Sequence, residues 1–141
     1  MKWFLIPVIA LVAVIGLAFV AGMMLPQAHV VSRTARFRAP PQPIWDAITG
    51  PPDWHDQKVK VEVVESVAPR RLVTRIADPS LPYGGTWTYE IVPNSAGSVL
   101  TITENGEVYN PLFRFVSRFI MGHTATIDAY IKAMRVKLGE A

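Results

Sequence analysis

The sequence predicts an α+β fold, in which an antiparallel sheet of five strands packs on a long C-terminal helix and follows one transmembrane helix. Three patterns support this prediction. Residues 3–25 carry no charge, the middle of the chain alternates apolar and polar residues as strands do, and the C-terminal part repeats apolar residues every three or four positions. We therefore expect a membrane anchor at residues 1–26 and a single folded domain at residues 29–141.

The N-terminal segment has the length of a membrane-spanning helix. A helix over residues 3–25 would be about 35 Å long, whereas the hydrocarbon core of a bilayer is about 30 Å thick. Pro26 ends the segment, and Lys2 and Trp3 lie where an interfacial anchor is expected. The alternative is a cleaved signal peptide, but the apolar part of a signal peptide has only about 7 to 15 residues. We therefore expect an uncleaved anchor.

The charges on either side of this segment bear on its orientation. Only Lys2 precedes it, whereas Arg33, Arg36 and Arg38 follow it. Because Lys and Arg are enriched on the cytoplasmic side, the count favours a cytoplasmic domain at a bacterial-type inner membrane. The same arginines belong to the first predicted strand, which lowers their weight as an orientation signal.

Composition argues against several classes of function. The chain has no cysteine, so disulfides, thiolate zinc sites and a cysteine nucleophile are excluded. The net charge is +3, but the basic residues are scattered, and we expect no nucleic-acid partner. His29, His55 and His123 lie far apart without ligand-like spacing, and no phosphate-binding loop or dinucleotide fingerprint occurs. We therefore expect no metal and no cofactor.

The strands and helices of the domain follow from periodicity. A first strand at residues 29–38 precedes a proline-rich break, a short helix at residues 44–48 and a further helical turn at residues 53–55. Four more strands should place one face in a dry core, through Val59, Val61, Val63, Leu72, Thr74, Ile76, Trp87, Tyr89, Ile91, Leu100 and Ile102.

The last predicted element is a long helix that begins at Pro111, with Asn110 as its cap. Gly122 should allow a kink in this helix. Its apolar stripe is predicted to face the sheet and consists of Leu112, Val116, Phe119, His123, Ile127, Ile131, Met134 and Leu138.

Glu104 is the most informative ionisable residue. It shares the parity of Leu100 and Ile102, so its carboxylate should face the interior, where a raised pKa would suit an acid or base. Alternatively, a bulge at residues 105–106 turns Glu104 to solvent, or its carboxylate forms a hydrogen bond with a helix terminus, and we favour this structural interpretation. His123 is either an acid–base partner for Glu104 or a wall of the interior, and interior histidines are more often structural.

Several motifs resemble those of one known superfamily. They are APPQPIW at 39–45, Trp54, PRRLV at 69–73, GTWTYE at 85–90, TENGEVYNP at 103–111 and HTATIDAY at 123–130. With the order of elements, they resemble the START-like SRPBCC superfamily, in its polyketide cyclase/dehydrase-like branch. The resemblance implies a helix-grip fold around a cavity that relatives use for lipid transport, hormone binding or cyclisation. Two strands usual in the family are missing before residue 69, which predicts an open side.

We predict a ligand-binding cavity and no catalytic residue. Its lining is expected to include Trp45, Trp54, Trp87, Tyr89, Glu104, Phe119 and His123. The leading hypothesis is a membrane-anchored module, not an enzyme, that binds an apolar small molecule or lipid. One alternative is a cyclase-like enzyme that uses Glu104 with His123 or Tyr89. Another is a protein-interaction module that docks a partner at the open side.

Overall fold

The structure is a computed structural model that describes residues 1–56 and 58–141. It contains the helices and strands α1 (Lys2–Met24), β1 (Ala28–Phe37), α2 (Pro41–Thr49), β2 (Val61–Val67), β3 (Arg71–Ile76), β4 (Tyr83–Asn94), β5 (Gly97–Val108), α3 (Pro111–Val116), a π-helical segment (Ser117–Met121) and α4 (Ala125–Lys137).

The five strands form one antiparallel sheet in the order β1-β5-β4-β3-β2, so the prediction of five strands is confirmed. Alternation along the strands places one set of side chains on an inner face, where α4 covers them. The core between this face and α4 includes the strand residues Leu72, Trp87, Tyr89, Ile91, Leu100 and Ile102 and the α4 residues Ile127, Tyr130 and Met134. Burial of each large apolar side chain stabilises the fold by about 1.5 to 3 kcal/mol.

Helix α1 is the one helix among the described residues that is long and apolar enough to cross a membrane. A signal sequence or the core helix of a soluble protein would meet the same criterion of length and composition. The most apolar part of α1 is 0% buried within the protein. Only its C-terminal end packs on the domain, at Gly22, through contacts with α3.

The predicted C-terminal helix is broken in two at Gly122, instead of being only kinked there. Gly122 has a φ of 76°, which glycine adopts without strain, and it ends the π-helical segment before α4 begins. The half before the break packs on α1, and the half after it packs on the sheet. The prediction that Phe119 lines the cavity is therefore wrong, since this side chain is 62% exposed.

Two local predictions are also wrong. Strand β2 should have a dry face, but Val61 and Val63 are 50% and 63% exposed because β2 is an edge strand that none of the described helices packs against. The predicted helical turn at residues 53–55 is absent, and Trp54 and His55 lie in bends. Prolines 51 and 52 remove backbone donors directly before this segment, which disfavours a helix.

Candidate ligand-binding site

Glu104 faces the inner side of the sheet. Strand β5 pairs with both neighbours without a register shift, and Glu104 stands opposite Trp87 on β4. The favoured interpretation of a bulge at residues 105–106 is therefore wrong. The Glu104 carboxylate accepts hydrogen bonds from Nε2 of His29 at 2.8 Å and from Nε1 of Trp87 at 2.6 Å. Its side chain is only 17% exposed, so these two donors replace most of its water.

His29 was not predicted as a site residue. It occupies the second position of β1 and shares the inward parity of Val31 and Ala35, and this pattern in the sequence could have identified it. The His29 ring contacts the ring of His123, with centroids 4.0 Å apart. We call His29, Trp87, Glu104 and His123 the polar cluster.

His123 has an unusual environment within this cluster. Its Nε2 atom is buried and has no hydrogen-bond partner among the described residues. Burial lowers the pKa of His123 below its usual value, and electrostatic interactions with His29 and Arg118 act in the same direction, while Glu104 opposes them. A neutral imidazole at neutral pH can donate or accept a proton, or bind a polar group of a ligand.

The polar cluster lies at the end of the sheet where the chain leaves α1. Strand β1 begins a few residues after α1 ends, and the carbonyl of Gln27 accepts a hydrogen bond from the amide of Val108. Among the described residues, no three His, Cys, Asp or Glu side chains are arranged to hold a metal ion. The side chains of the polar cluster are donors and acceptors of hydrogen bonds.

An aromatic cluster adjoins the polar cluster. The ring of Tyr130 packs against those of Trp87, Tyr89 and Trp54, with centroid distances of 5.6, 5.8 and 4.9 Å. Burial raises the pKa of Tyr89 to about 12, although hydrogen bonds with Tyr130 and Thr74 oppose this shift. Burial also raises the pKa of Tyr130. Both phenols therefore stay protonated at neutral pH, and Tyr89 is not suited to act as a base.

A cleft of about 380 Å³ runs along the flank of α4, beside this aromatic cluster. It is lined by Trp54, His55, Asp56, Ala125, Thr126, Ala129, Tyr130 and Ala133, and Ala125 follows His123 of the polar cluster by two residues. Trp54 is held at its wall because its indole donates a hydrogen bond to the carbonyl of Ala47 at 3.1 Å. Burial and the charge of Lys58 lower the pKa of His55, while Asp56 opposes them.

The predicted site residues thus fall into four places. Trp87, Glu104 and His123 meet in the polar cluster, and Trp54 lines the cleft. Trp45 and Tyr89 belong to the buried core. Phe119 lies outside the site.

A larger groove of about 630 Å³ lies elsewhere and contains none of the predicted site residues. Thr86, Asn105 and Glu107 line it, and they have the parity opposite to Trp87 and Glu104, so the groove is on the outer face of the sheet. Its walls also carry the charged residues Glu62, Arg75 and Asp78, which do not suit an apolar ligand.

No protein-family model and no curated protein sequence matches this chain. Solved structures do resemble it. Protein MLL2253 from Mesorhizobium loti superposes with a TM-score of 0.62 at 16% identity, over 80% of this chain and 98% of that one. Protein Ms6760 from Mycobacterium smegmatis gives 0.56 at 17% identity, over 77% and 90% of the two chains.

Norcoclaurine synthase from Thalictrum flavum, a helix-grip protein, superposes with a TM-score of 0.53 at 14% identity, over 86% of this chain and 92% of that one. At such low identity the likeness establishes the fold alone. The chain is thus an α+β protein of the helix-grip class, as its sequence predicts.

Proposed function

We propose that this protein binds an amphiphilic small molecule or lipid while α1 holds it at a membrane. The apolar part of the ligand would occupy the cleft along α4, and its polar end would meet the polar cluster. The observation that carries the proposal is the inward-facing Glu104, paired with His29 beside the buried Nε2 atom of His123, which has no hydrogen-bond partner in the described part of the chain. Such a group of hydrogen-bonding atoms beside an apolar cleft suits a ligand with one polar end.

The size and walls of the cleft support this proposal. Its volume of about 380 Å³ falls within the range of small-molecule sites, which is about 300 to 1,000 Å³. Trp54 and Tyr130 provide aromatic surface, and Ala129 and Ala133 leave room beside α4 because their side chains are short. These side chains favour an apolar ligand portion along α4, while Asp56 and His55 form a polar part of the same wall.

The membrane part of the proposal rests on α1. Its 23 residues form a helix of about 35 Å, long enough to cross a bilayer. We propose that residues 1–26 remain as the anchor, with the domain of residues 29–141 on the cytoplasmic face. An anchor of this kind raises the effective concentration of the domain near ligands that are dissolved in the bilayer.

A second candidate function is acid–base catalysis by the polar cluster. The contact between Glu104 and His29, beside a His123 whose pKa is lowered, favours it because an acid and a base in contact can move a proton. Tyr89 is a poor partner in such a mechanism because its hydroxyl is buried and hydrogen-bonded with Tyr130. The catalytic pair would be Glu104 with one of the two histidines.

The third candidate, a protein-interaction module, is favoured by β2. This edge strand exposes Val61 and Val63 on the side where the family usually has two more strands. Unpaired edge strands accept further strands through their backbone groups. No described feature identifies the chemistry of such a partner.

Native mass spectrometry of the full-length protein, extracted in detergent, tests the binding proposal. Wild-type protein should retain a co-purified small molecule or lipid. Ala129→Trp, which fills the cleft, should lose it, and Lys132→Trp should keep it because Lys132 lies on the exposed side of α4. Equal retention by both tryptophan variants, or no bound species in any of them, would count against the proposal.

A further inference from the structure

Three consecutive apolar side chains are exposed at the end of the π-helical segment. Phe119, Ile120 and Met121 are 62%, 71% and 56% exposed, and we call them the apolar tip. Phe119 packs against Phe115 of α3, with ring centroids 5.1 Å apart. A soluble surface rarely exposes three consecutive large apolar residues without a binding partner.

The segment that carries the apolar tip is packed against the end of α1. The backbones of Gly22 and Pro111 are so close that a Cβ atom on Gly22 would lie 1.8 Å from the Pro111 carbonyl oxygen. Within residues 1–25, reduced exposure is confined to one side of the helix and its end, at Ala18, Ala21, Gly22 and Leu25. These residues span about 10 Å along the helix axis.

When α1 crosses a bilayer, the contact between Gly22 and Pro111 determines where α3 lies relative to the hydrocarbon core. A span of about 20 residues is needed for the hydrocarbon core. Counted from Trp3, that span reaches Gly22, which contacts Pro111 at the start of α3. Helix α3 therefore lies at the boundary between hydrocarbon and headgroups, beside the last turns of α1.

Arg114 of α3 is a charged residue at this boundary, and hydrogen bonds satisfy its charge. Its guanidinium donates hydrogen bonds to the carbonyls of Gly22 and Leu25, at 3.0 and 3.1 Å, and to those of Val108 and Tyr109. The last carbonyls of a helix carry partial negative charge and normally lack partners. Arg114 therefore caps α1 while its own charge is satisfied, and the next basic residue, Arg118, is exposed.

We propose that the apolar tip inserts into the lipid bilayer beside α1, as a second membrane contact of the domain. This inference rests on the anchor in the proposed function. His123 follows Met121 by two residues, so insertion of the tip brings the polar cluster to the level of the lipid headgroups. A ligand with an apolar chain then enters the site from the bilayer without crossing water.

Lipid is the occupant that the surroundings of the tip favour. The tip continues from a helix packed on α1, whose own exposed surface carries no charged residue after Lys2. A basic side chain, Arg118, adjoins the tip, and basic side chains at the interface reach lipid phosphates while their stems stay in the apolar layer. A second copy of the chain is the competing occupant.

Single-cysteine variants can test the insertion, because the chain has no cysteine of its own. Phe119→Cys and Ile120→Cys would be labelled with an environment-sensitive fluorophore in full-length protein, reconstituted in vesicles of phosphatidylcholine and phosphatidylglycerol. Val14→Cys reports on α1. Val92→Cys, 59% exposed next to the β4–β5 turn, is the matched control on the domain surface.

The labels at positions 119 and 120 should be quenched by nitroxide groups attached to the lipid chains and protected from aqueous iodide, and the label at 92 should behave in the opposite way. Iodide quenching at 119 and 120, with lipid quenching at 14, would overturn the insertion and leave the anchor intact. Iodide quenching at 14 would overturn the anchor itself. Protection from both quenchers, with disulfide cross-linking between copies of the unlabelled Phe119→Cys variant, would show self-association instead.

Discussion

His29 and Glu104, which are 75 positions apart in sequence, meet in a 2.8 Å hydrogen bond on the inner face of the sheet. The contact exists because the first strand, β1, pairs with the last strand, β5, in a register that places His29 opposite Gly106, two residues after Glu104. The ring of His123 then packs on His29 from the break between the π-helical segment and α4. Residues from three distant parts of the chain thus form one polar cluster.

The first prediction concerns the dependence of stability on pH. Burial lowers the pKa of His123 in the folded protein, whereas the unfolded chain keeps the usual value of 6.5. The unfolded state therefore binds protons first as the pH falls. The stability that neutral His123 contributes is complete above about pH 6.5 and is lost as the pH falls through the folded-state value.

Chemical denaturation of the detergent-solubilised protein between about pH 7.5 and 5 measures this effect. The free energy of unfolding should fall more steeply in the wild type than in His123→Asn, which cannot titrate. The contribution of His55, whose pKa is also lowered, is common to both proteins. Identical slopes would mean that His123 is not protected from protonation by the fold.

The second prediction separates binding from catalysis at Glu104. Glu104→Gln keeps one oxygen that can accept from Trp87 and places an NH2 donor toward the His29 ring, while it removes the negative charge, so a binding site should lose only part of its ligand affinity. Two measurements are needed, namely ligand retention by native mass spectrometry and complementation of a deletion strain. Complete loss of cellular function with normal retention and normal stability would establish general acid–base chemistry as the better explanation.

Periodicity in the sequence correctly predicted which side chains of the central strands face the core. Period-two alternation correctly placed Trp87, Leu100 and Ile102 on the inner face, and the same parity placed Glu104 there, although a bulge was favoured. Applied to β1, it would also have identified His29. Local periodicity reports which side chains share a face, and this is sufficient for central strands.

The failures of prediction have a common physical cause, because periodicity does not reveal what covers a face. Phe119 lies on the stripe that also contains Ile127, but α1 packs on the earlier half of that stripe, and Gly122 turns the chain between the two halves. Val61 and Val63 alternate as core residues do, yet β2 is at the edge of the sheet and both side chains are at least half exposed. Which element covers a given face depends on the tertiary structure.

The third prediction tests the packing of α4 on the sheet. Ile127 is 0% exposed, so Ile127→Asp would bury a carboxylate without a partner and should cost about 3 to 5 kcal/mol in the free energy of unfolding. Val136→Asp is the matched control on the same helix, since Val136 is 64% exposed. Urea unfolding followed by tryptophan fluorescence should show a large shift for the first variant alone. Equal midpoints for the two variants would contradict the packing.

The fourth prediction tests the contact between α1 and α3. A side chain at Gly22 would meet the Pro111 carbonyl, so Gly22→Leu must push α3 away and break the hydrogen bonds from Arg114 to the end of α1. Overpacking of this kind costs about 1 to 3 kcal/mol. Gly16→Leu is the matched control, because no atom lies within 4 Å of a Cβ at Gly16.

Hydrogen–deuterium exchange of the full-length protein in detergent micelles reads out this contact directly. The backbone amides of Phe113 to Val116 should exchange faster in Gly22→Leu than in the wild type, because α3 is only six residues long and a helix this short depends on packing for its stability. Gly16→Leu should leave them unchanged, although leucine favours a helix more than glycine does, by up to about 1 kcal/mol. Unchanged exchange in both variants would show that α3 is held by the domain and not by α1, which would remove the structural basis for placing the apolar tip in the bilayer.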